Sequence, residues 1–240
     1  MKRIITLLII LISTQIWGQE TIQFPSKDGI AITADVYTTQ NSDTFILLFH
    51  QAGWSRGEYQ EIAPKLNTLG YNAIAIDQRS GGGVNGVKNQ THALAKKEGK
   101  ATKYADAFQD IEATVAYVKK TYNSKNIIIW GSSYSSSLVL KYAGDYPDKI
   151  NAVLSFSPGE YFGNKTFITQ SAKNITVPVF ITSAKNEKGS WSGIYEAIKS
   201  TKKQSFIPQG SGNHGARALW TKNGDHKEYW DAVTAFLDSL

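Results

Sequence analysis

From residue 44 onward the chain alternates short apolar runs with segments of helical period, and this alternation restricts the fold more than any other feature. The runs 44–49, 71–76, 126–130, 152–156, 178–182 and 204–208 read as continuous rather than alternating strands, the pattern of strands buried on both faces. Between them, Tyr59, Ile62, Leu66 and Leu69, then Tyr104, Phe108, Ile111, Val115 and Val118, recur every three or four residues as the apolar stripes of helices. A last stripe of Tyr229, Val233, Phe236 and Leu240 closes the chain, with Asp225 and Glu228 spaced for a capping box. Strands separated by helices build a mostly parallel sheet with helices on both faces. The expected architecture is α/β, with about eight strands in a single domain over residues 19–240 and no cap domain.

Ahead of this pattern, residues 21–25 and 30–37 alternate in polarity around Ser26-Lys27-Asp28-Gly29, which predicts an opening hairpin. Residues 80–100, with Gly81-Gly82-Gly83 and Asn85-Gly86, show no clear period and predict a long irregular loop, of the kind that is functional or mobile. At the N-terminus, Met1-Lys2-Arg3 precedes residues 4–12, which are apolar except for Thr6. Such a charged start and apolar run predict a secretory leader over residues 1–18, cut after Gly18, although Ile16 departs from the usual small residue before the cut. A bilayer span needs roughly 20 apolar residues, about twice this run. The expectation is an exported chain, periplasmic or secreted, with no membrane span in its mature form.

An exported protein commonly carries disulfides, but the 240 residues include no cysteine, so the fold must rest on its core. With 41% apolar and 12% aromatic residues, it has the material for one. The net charge of +6 falls to +4 when Lys2 and Arg3 leave with the leader. Lys96, Lys97, Lys100 and Lys103 lack interleaved aromatics and read as a solvated helical face, so no nucleic-acid partner is expected. The four histidines lie far apart in sequence and no thiol is available, which predicts no metal site.

The stretch Ile127-Ile128-Ile129-Trp130-Gly131-Ser132-Ser133-Tyr134-Ser135-Ser136 runs from a buried strand into a helix. It resembles the G-x-S-x-G nucleophile elbow of the α/β-hydrolases, in which a sharp turn lifts a serine hydroxyl above the sheet. Gly131 fits the first glycine, Ser135 replaces the second, and the nucleophile falls on Ser133. From Asp35 to Leu240 the order of parts is similar to the dienelactone-hydrolase-like branch of that superfamily, with a serine in place of the cysteine of dienelactone hydrolase itself. Asp77-Gln78-Arg79-Ser80-Gly81, similar to a D-x-R-G turn, and Ser157-Pro158-Gly159 add to the resemblance.

The resemblance implies a base after the last strand, and His214, in the loop Gly210-Ser211-Gly212-Asn213-His214-Gly215, stands there. His50 and His92 precede the serine, and His226 opens the last helix. The acid must lie between serine and histidine at the carboxyl edge of the sheet. Asp145 and Asp148 fall at the other edge and Glu196 within a helix, leaving Glu187 or Glu160; the family's usual acid position, after the penultimate strand, favours Glu187. A tetrahedral oxyanion needs two N–H donors: Tyr134 N–H, and Gln51 or Ala52 from His50-Gln51-Ala52-Gly53-Trp54, which resembles the family's oxyanion loop with Gln51 in place of a glycine. His50 is expected to shape that loop. Trp54, Tyr59, Tyr134, Tyr161, Phe162, Trp191 and Trp220 are candidate pocket walls.

The expected activity is a cofactor-free serine ester hydrolase with a small-molecule acyl substrate, acting through an acyl-enzyme. The branch also includes lactone hydrolases and peptidases. An acyltransferase using the same triad and a non-catalytic binding protein on the same scaffold are the alternatives.

Overall fold

The computed structural model describes residues 18–40 and 42–240. Strands β1 (Gly18–Pro25) and β2 (Ala31–Thr38) form the opening antiparallel hairpin. They are followed by β3 (Thr44–Phe49), α1 (Ile62–Thr68), β4 (Asn72–Ile76), β5 (Gly83–Val84), β6 (Val87–Lys88) and α2 (Gln90–Lys97). The rest alternates: α3 (Phe108–Tyr122), β7 (Asn126–Ser132), α4 (Tyr134–Asp145), β8 (Ala152–Phe156), α5 (Phe167–Ala172), β9 (Val179–Thr182), α6 (Lys188–Ala197), β10 (Lys203–Phe206) and α7 (His226–Asp238). The main sheet has eight strands in the order β1-β2-β4-β3-β7-β8-β9-β10, antiparallel as far as the β2–β4 pair and parallel beyond it.

The continuous apolar runs have a direct cause, because successive side chains of a strand point to opposite faces and both faces are covered. Along β7, Ile127 and Ile129 join the core packed by α3, α4, α5 and α6, while Ile128 and Trp130 join the core packed by α1 and α7. Phe45, Leu47 and Phe49 of β3 split from Ile46 and Leu48 in the same way. Each such side chain contributes about 1.5–3 kcal/mol on burial. The parallel strands are thereby held in one register, and their carboxyl ends, where α/β sheets bind ligands, converge on one edge.

Two expectations are corrected. Residues 80–100 are not an irregular loop: they hold the small β5–β6 hairpin and α2, whose N-cap Asn89 accepts from His92 N–H at 2.7 Å. The two-residue strands and the short helix are too brief for a periodic signal. Nor does α7 begin with a capping box. Asp225 accepts from Gly212 N–H at 2.8 Å and Glu228 from Gln209 N–H at 3.0 Å, so both carboxylates serve backbone donors of the loop that carries His214. Leu240 lies beyond the end of α7 and is exposed. The expected leader lies outside the described residues except for Gly18, which opens β1. No helix among the described residues is long and apolar enough to cross a membrane.

Candidate active site

Strand β7 ends at Ser132 and α4 begins at Tyr134, so Ser133 alone makes the turn between them. Its backbone stands at φ 59°, ψ −123°, a region that costs a non-glycine residue about 1–3 kcal/mol and persists only where the surroundings impose it. They do so by crowding. A Cβ on Gly131 would lie 2.4 Å from Ser135 O and 2.5 Å from Ser136 Cα, so no side chain fits there. Ser135, at the position of the second glycine, is fully buried and puts its hydroxyl to use: it donates to His50 O and accepts from Gln78 Nε2, both at 2.6 Å. The departure from the motif thus adds a tie between α4 and the loop after β3.

His214 Nε2 lies 2.8 Å from Ser133 Oγ, and His214 Nδ1 lies 2.5 Å from Glu187 Oε1. A carboxylate beside Nδ1 keeps the ring proton on that nitrogen, leaving Nε2 to accept from the serine hydroxyl. Glu187 comes from a short 3-10 turn, Lys185–Glu187, directly after β9. Burial raises the pKa of its carboxyl, but hydrogen bonds from His214, Ser157 and Ala184 N–H outweigh burial and hold it below the ordinary value. Ser157 joins two arms of the site. Its hydroxyl donates to Glu187 Oε2 at 2.6 Å and accepts from Gly215 N–H at 2.9 Å, while its backbone takes φ 58°. Lys185 N–H donates to Ser211 O at 2.9 Å, a second link between the loops of Glu187 and His214.

Glu160 is elsewhere. Its carboxylate accepts from Ile168 N–H, Thr169 N–H and the Thr169 hydroxyl, capping the first turn of α5. Of the two acids left open by the sequence, only Glu187 touches His214.

At the loop after β3, Gln51 N–H already donates to Glu58 Oε2 at 2.8 Å, which removes it as a donor to substrate. Ala52 N–H has no such partner among the described residues, and neither does Tyr134 N–H at the start of α4. His50 shapes the loop: Nδ1 donates to Gln51 O at 2.8 Å and Nε2 accepts from Gln78 N–H at 3.0 Å. Complete burial, partly opposed by the bond to Gln51, lowers its pKa to about 4 and keeps the ring neutral. The Asp77-Gln78-Arg79 turn lies behind the site. Asp77 pairs with Arg56, Arg79 with Asp28 and Asp110, and Gln78 Nε2 donates to Tyr134 Oη at 2.6 Å.

Glu58 was not foreseen as a site residue. It belongs to a 3-10 turn, Arg56–Tyr59, and is fully buried, with no cation paired to it among the described residues. Ser132 Oγ donates to its Oε1 at 2.7 Å and itself accepts from Ala216 N–H at 2.8 Å. Burial raises the carboxyl to about 7, against the pull of those bonds and of the charges on His214 and Arg217. The sequence offers only a glutamate beside a tyrosine near a helix start, with no sign that it turns inward.

Of the aromatic candidates, Tyr59, Tyr134, Trp191 and Trp220 are buried and bonded within the fold, so they are core. Trp54 stacks on Trp220 at 5.3 Å, with the Arg217 guanidinium 5.9 Å from its ring. Tyr161 is 39% exposed and donates to Ser157 O at 2.8 Å; burial and the nearby Glu187 raise its phenol to about 12, against a hydrogen bond with Ser133. Phe162 is partly exposed. Among the described residues, no group of three or more His, Asp or Glu side chains comes together as metal ligands.

Comparison with protein families matches residues 40–166, just over half of the chain, to the serine aminopeptidase S33 family of hydrolases. The chain belongs to this family of α/β-hydrolases. The matched stretch includes Glu58 and Ser133 and stops before Glu187 and His214. Comparison with curated protein sequences finds no match. Among solved structures, the chain is similar to a dienelactone hydrolase from Anabaena variabilis, with TM-score 0.72 and 12% identity over 93% of this chain and 98% of that one. It is similar to an esterase from Pyrococcus furiosus, with TM-score 0.70 and 18% identity over 93% of each chain. A predicted CIB-like hydrolase from Thermoplasma acidophilum gives TM-score 0.66 and 15% identity over 93% of this chain and 100% of that one. At these identities the likeness is one of fold.

Proposed function

We propose that this S33-family chain is a serine ester hydrolase in which Ser133, His214 and Glu187 act as a triad. The observation that carries the reading is the unbroken contact line from Ser133 Oγ to His214 Nε2 and from Nδ1 to Glu187, built on a serine held at positive φ. Ser133 Oγ attacks the acyl carbonyl and its proton passes to His214 Nε2. Ala52 N–H and Tyr134 N–H receive the oxyanion, the latter aided by the positive end of α4. His214 returns the proton to the departing alkoxide, leaving an acyl-enzyme. A water molecule then gives one proton to His214 and its hydroxyl to the acyl carbon, and His214 passes that proton to Ser133 Oγ as the acyl C–O bond breaks, freeing the acid and the enzyme. Glu187 holds the imidazole tautomer and stabilises the cation formed twice in the cycle.

The test is a panel of short-chain, aryl and lactone esters set beside aminoacyl anilides. Ester turnover that vanishes in Ser133→Ala supports the reading. Turnover of anilides alone would make the chain an aminopeptidase with the same triad. No turnover of any acyl substrate would favour a binding role.

The leader over residues 1–18 completes the proposal, placing the enzyme outside the cytoplasm, and the mass of the native N-terminus checks it.

A further inference from the structure

Three loops meet behind Ser133: the loop after β3 that bears Ala52, the strand-to-helix turn, and the loop of His214. One buried carboxylate ties them together. Glu58 Oε2 holds Gln51 N–H at 2.8 Å and Oε1 holds the Ser132 hydroxyl at 2.7 Å, while Ser132 Oγ accepts from Ala216 N–H at 2.8 Å. Gly215, next to Ala216, closes the junction. A Cβ there would stand 2.5 Å from Ser132 Oγ and 2.7 Å from Gln51 Oε1, and its φ is +71°. A residue placed only to fill space would not need its charge. Glu58 could be replaced by an apolar side chain at little cost if shape were all that mattered, since a buried carboxylate without a cation is expensive. What an apolar side chain cannot do is accept two hydrogen bonds from loops on either side of the reacting serine.

Resting on the hydrolase reading above, we propose that Glu58 is a positioning residue whose carboxylate locks the oxyanion loop to the turn of Ser133, so that Ala52 N–H and Tyr134 N–H face one point above Ser133 Oγ. The lock works through Gln51: with its N–H bound to Glu58, the Gln51–Ala52 peptide is fixed and the next N–H is free for the substrate. Protonating Glu58 turns one of its two acceptors into a donor. Ser132 O–H then loses its acceptor, and the tie weakens. The charged and titratable groups that act on Glu58 are His214 and Arg217 from the loop after β10, with Tyr59 beside it on its own turn. Arg217 is held in place by donating from Nε to His214 O at 3.1 Å.

The experiment uses the whole chain, labelled with 13C and 15N, and an ester that the wild type hydrolyses. The Glu58 carboxyl carbon should titrate near neutral pH, and the Gln51 and Ala52 amide signals should move with the same midpoint. Ser133→Ala should leave that titration in place. Glu58→Gln, which keeps the size and loses the charge, should abolish the shared movement and lower kcat by about 10²-fold, the order expected when a reacting geometry is displaced by about 1 Å, with KM little changed. It should also displace the acid limb of the kcat profile, to which His214 as base and Glu58 through the lock both contribute in the wild type. If Glu58→Gln does not fold, Ser132→Ala removes one arm of the lock and should lower kcat in the same sense, with the wild-type titration read as before. Amide signals of Gln51 and Ala52 that ignore Glu58, or a wild-type kcat and pH profile in Glu58→Gln, would overturn the proposal. If the wild type hydrolyses no ester, the triad reading fails on its own; correlated titration of Glu58, Gln51 and Ala52 would still support the lock, and its absence would refute it.

Discussion

Two glutamates flank Ser133, and the sheet edge treats them in opposite ways. Glu187, part-exposed, faces a histidine and accepts from Ser157 and a backbone N–H, so its carboxyl sits below the ordinary value. Glu58, fully buried, accepts from a hydroxyl and a backbone N–H, with no other hydrogen-bond partner among the described residues, and its carboxyl is raised to about 7. The same side chain is thus suited to two tasks. On the proposed triad reading, a permanent charge beside His214 would stabilise an imidazolium, whereas behind the loop of Ala52 the need would be for fixed acceptors in a dry place. Solvent access follows the same division: the Glu187 side is open and the Glu58 side is closed.

The largest effect that would break this comparison is kinetic. Glu187→Gln should cut kcat about 10⁴-fold, the cost of losing a triad acid that orients its histidine, while Glu160→Gln should leave kcat near wild type and lower Tm through the weakened cap on α5. Equal losses from the two variants would mean that contact with His214 does not decide which acid matters.

Next in size is the dependence of stability on pH. Glu58, raised from 4.5 to about 7, contributes stability that is fully present below 4.5 and is lost as pH rises through about 7. The loss is on the order of 3 kcal/mol if each pKa unit counts for about 1.4 kcal/mol. Glu187, held below the ordinary value, contributes in the opposite sense: its stabilisation is present above that value and is lost on acidification. Melting curves should therefore show Glu58→Gln gaining Tm on the wild type between pH 4.5 and 7 and Glu187→Gln gaining on it only toward acid pH. Parallel curves for both variants would contradict the assigned environments.

The smallest effect sharpens the link between the open side and its support. Ser157→Ala removes the hydroxyl that joins Glu187 to Gly215 N–H, and an unpartnered buried donor costs about 1–3 kcal/mol. A fall in kcat of roughly tenfold, with KM unchanged, is expected because only the placement of Glu187 and His214 is disturbed. A change confined to KM would assign Ser157 to substrate binding.

How legible each part was follows from how local its cause is. The inner parallel strands were readable because burial on both faces leaves continuous apolar runs such as 126–130, and the sharp turn at Ser133 was readable because it excludes a side chain at Gly131. Glu187 was favoured over Glu160 by the family's usual acid position, but both follow a strand, and the contact with His214 that separates them is three-dimensional. Glu58 was invisible, because its partners Gln51 and Ser132 are seven and 74 residues away and no local pattern announces an inward-turned glutamate. Asp225 and Glu228 misled for the related reason that the spacing of a capping box does not say whether a nearby loop offers better donors.

The central claim is that Ser133 alone among a run of neighbouring serines is activated, since Ser132, Ser135, Ser136 and Ser137 are each buried and committed to other partners. An alkyl fluorophosphonate followed by peptide mass analysis tests it most directly. The account predicts one label per chain, on Ser133, absent in Ser133→Ala and strongly reduced in His214→Ala with both variants folded. No label on the wild type, or a label on any other serine, would contradict it.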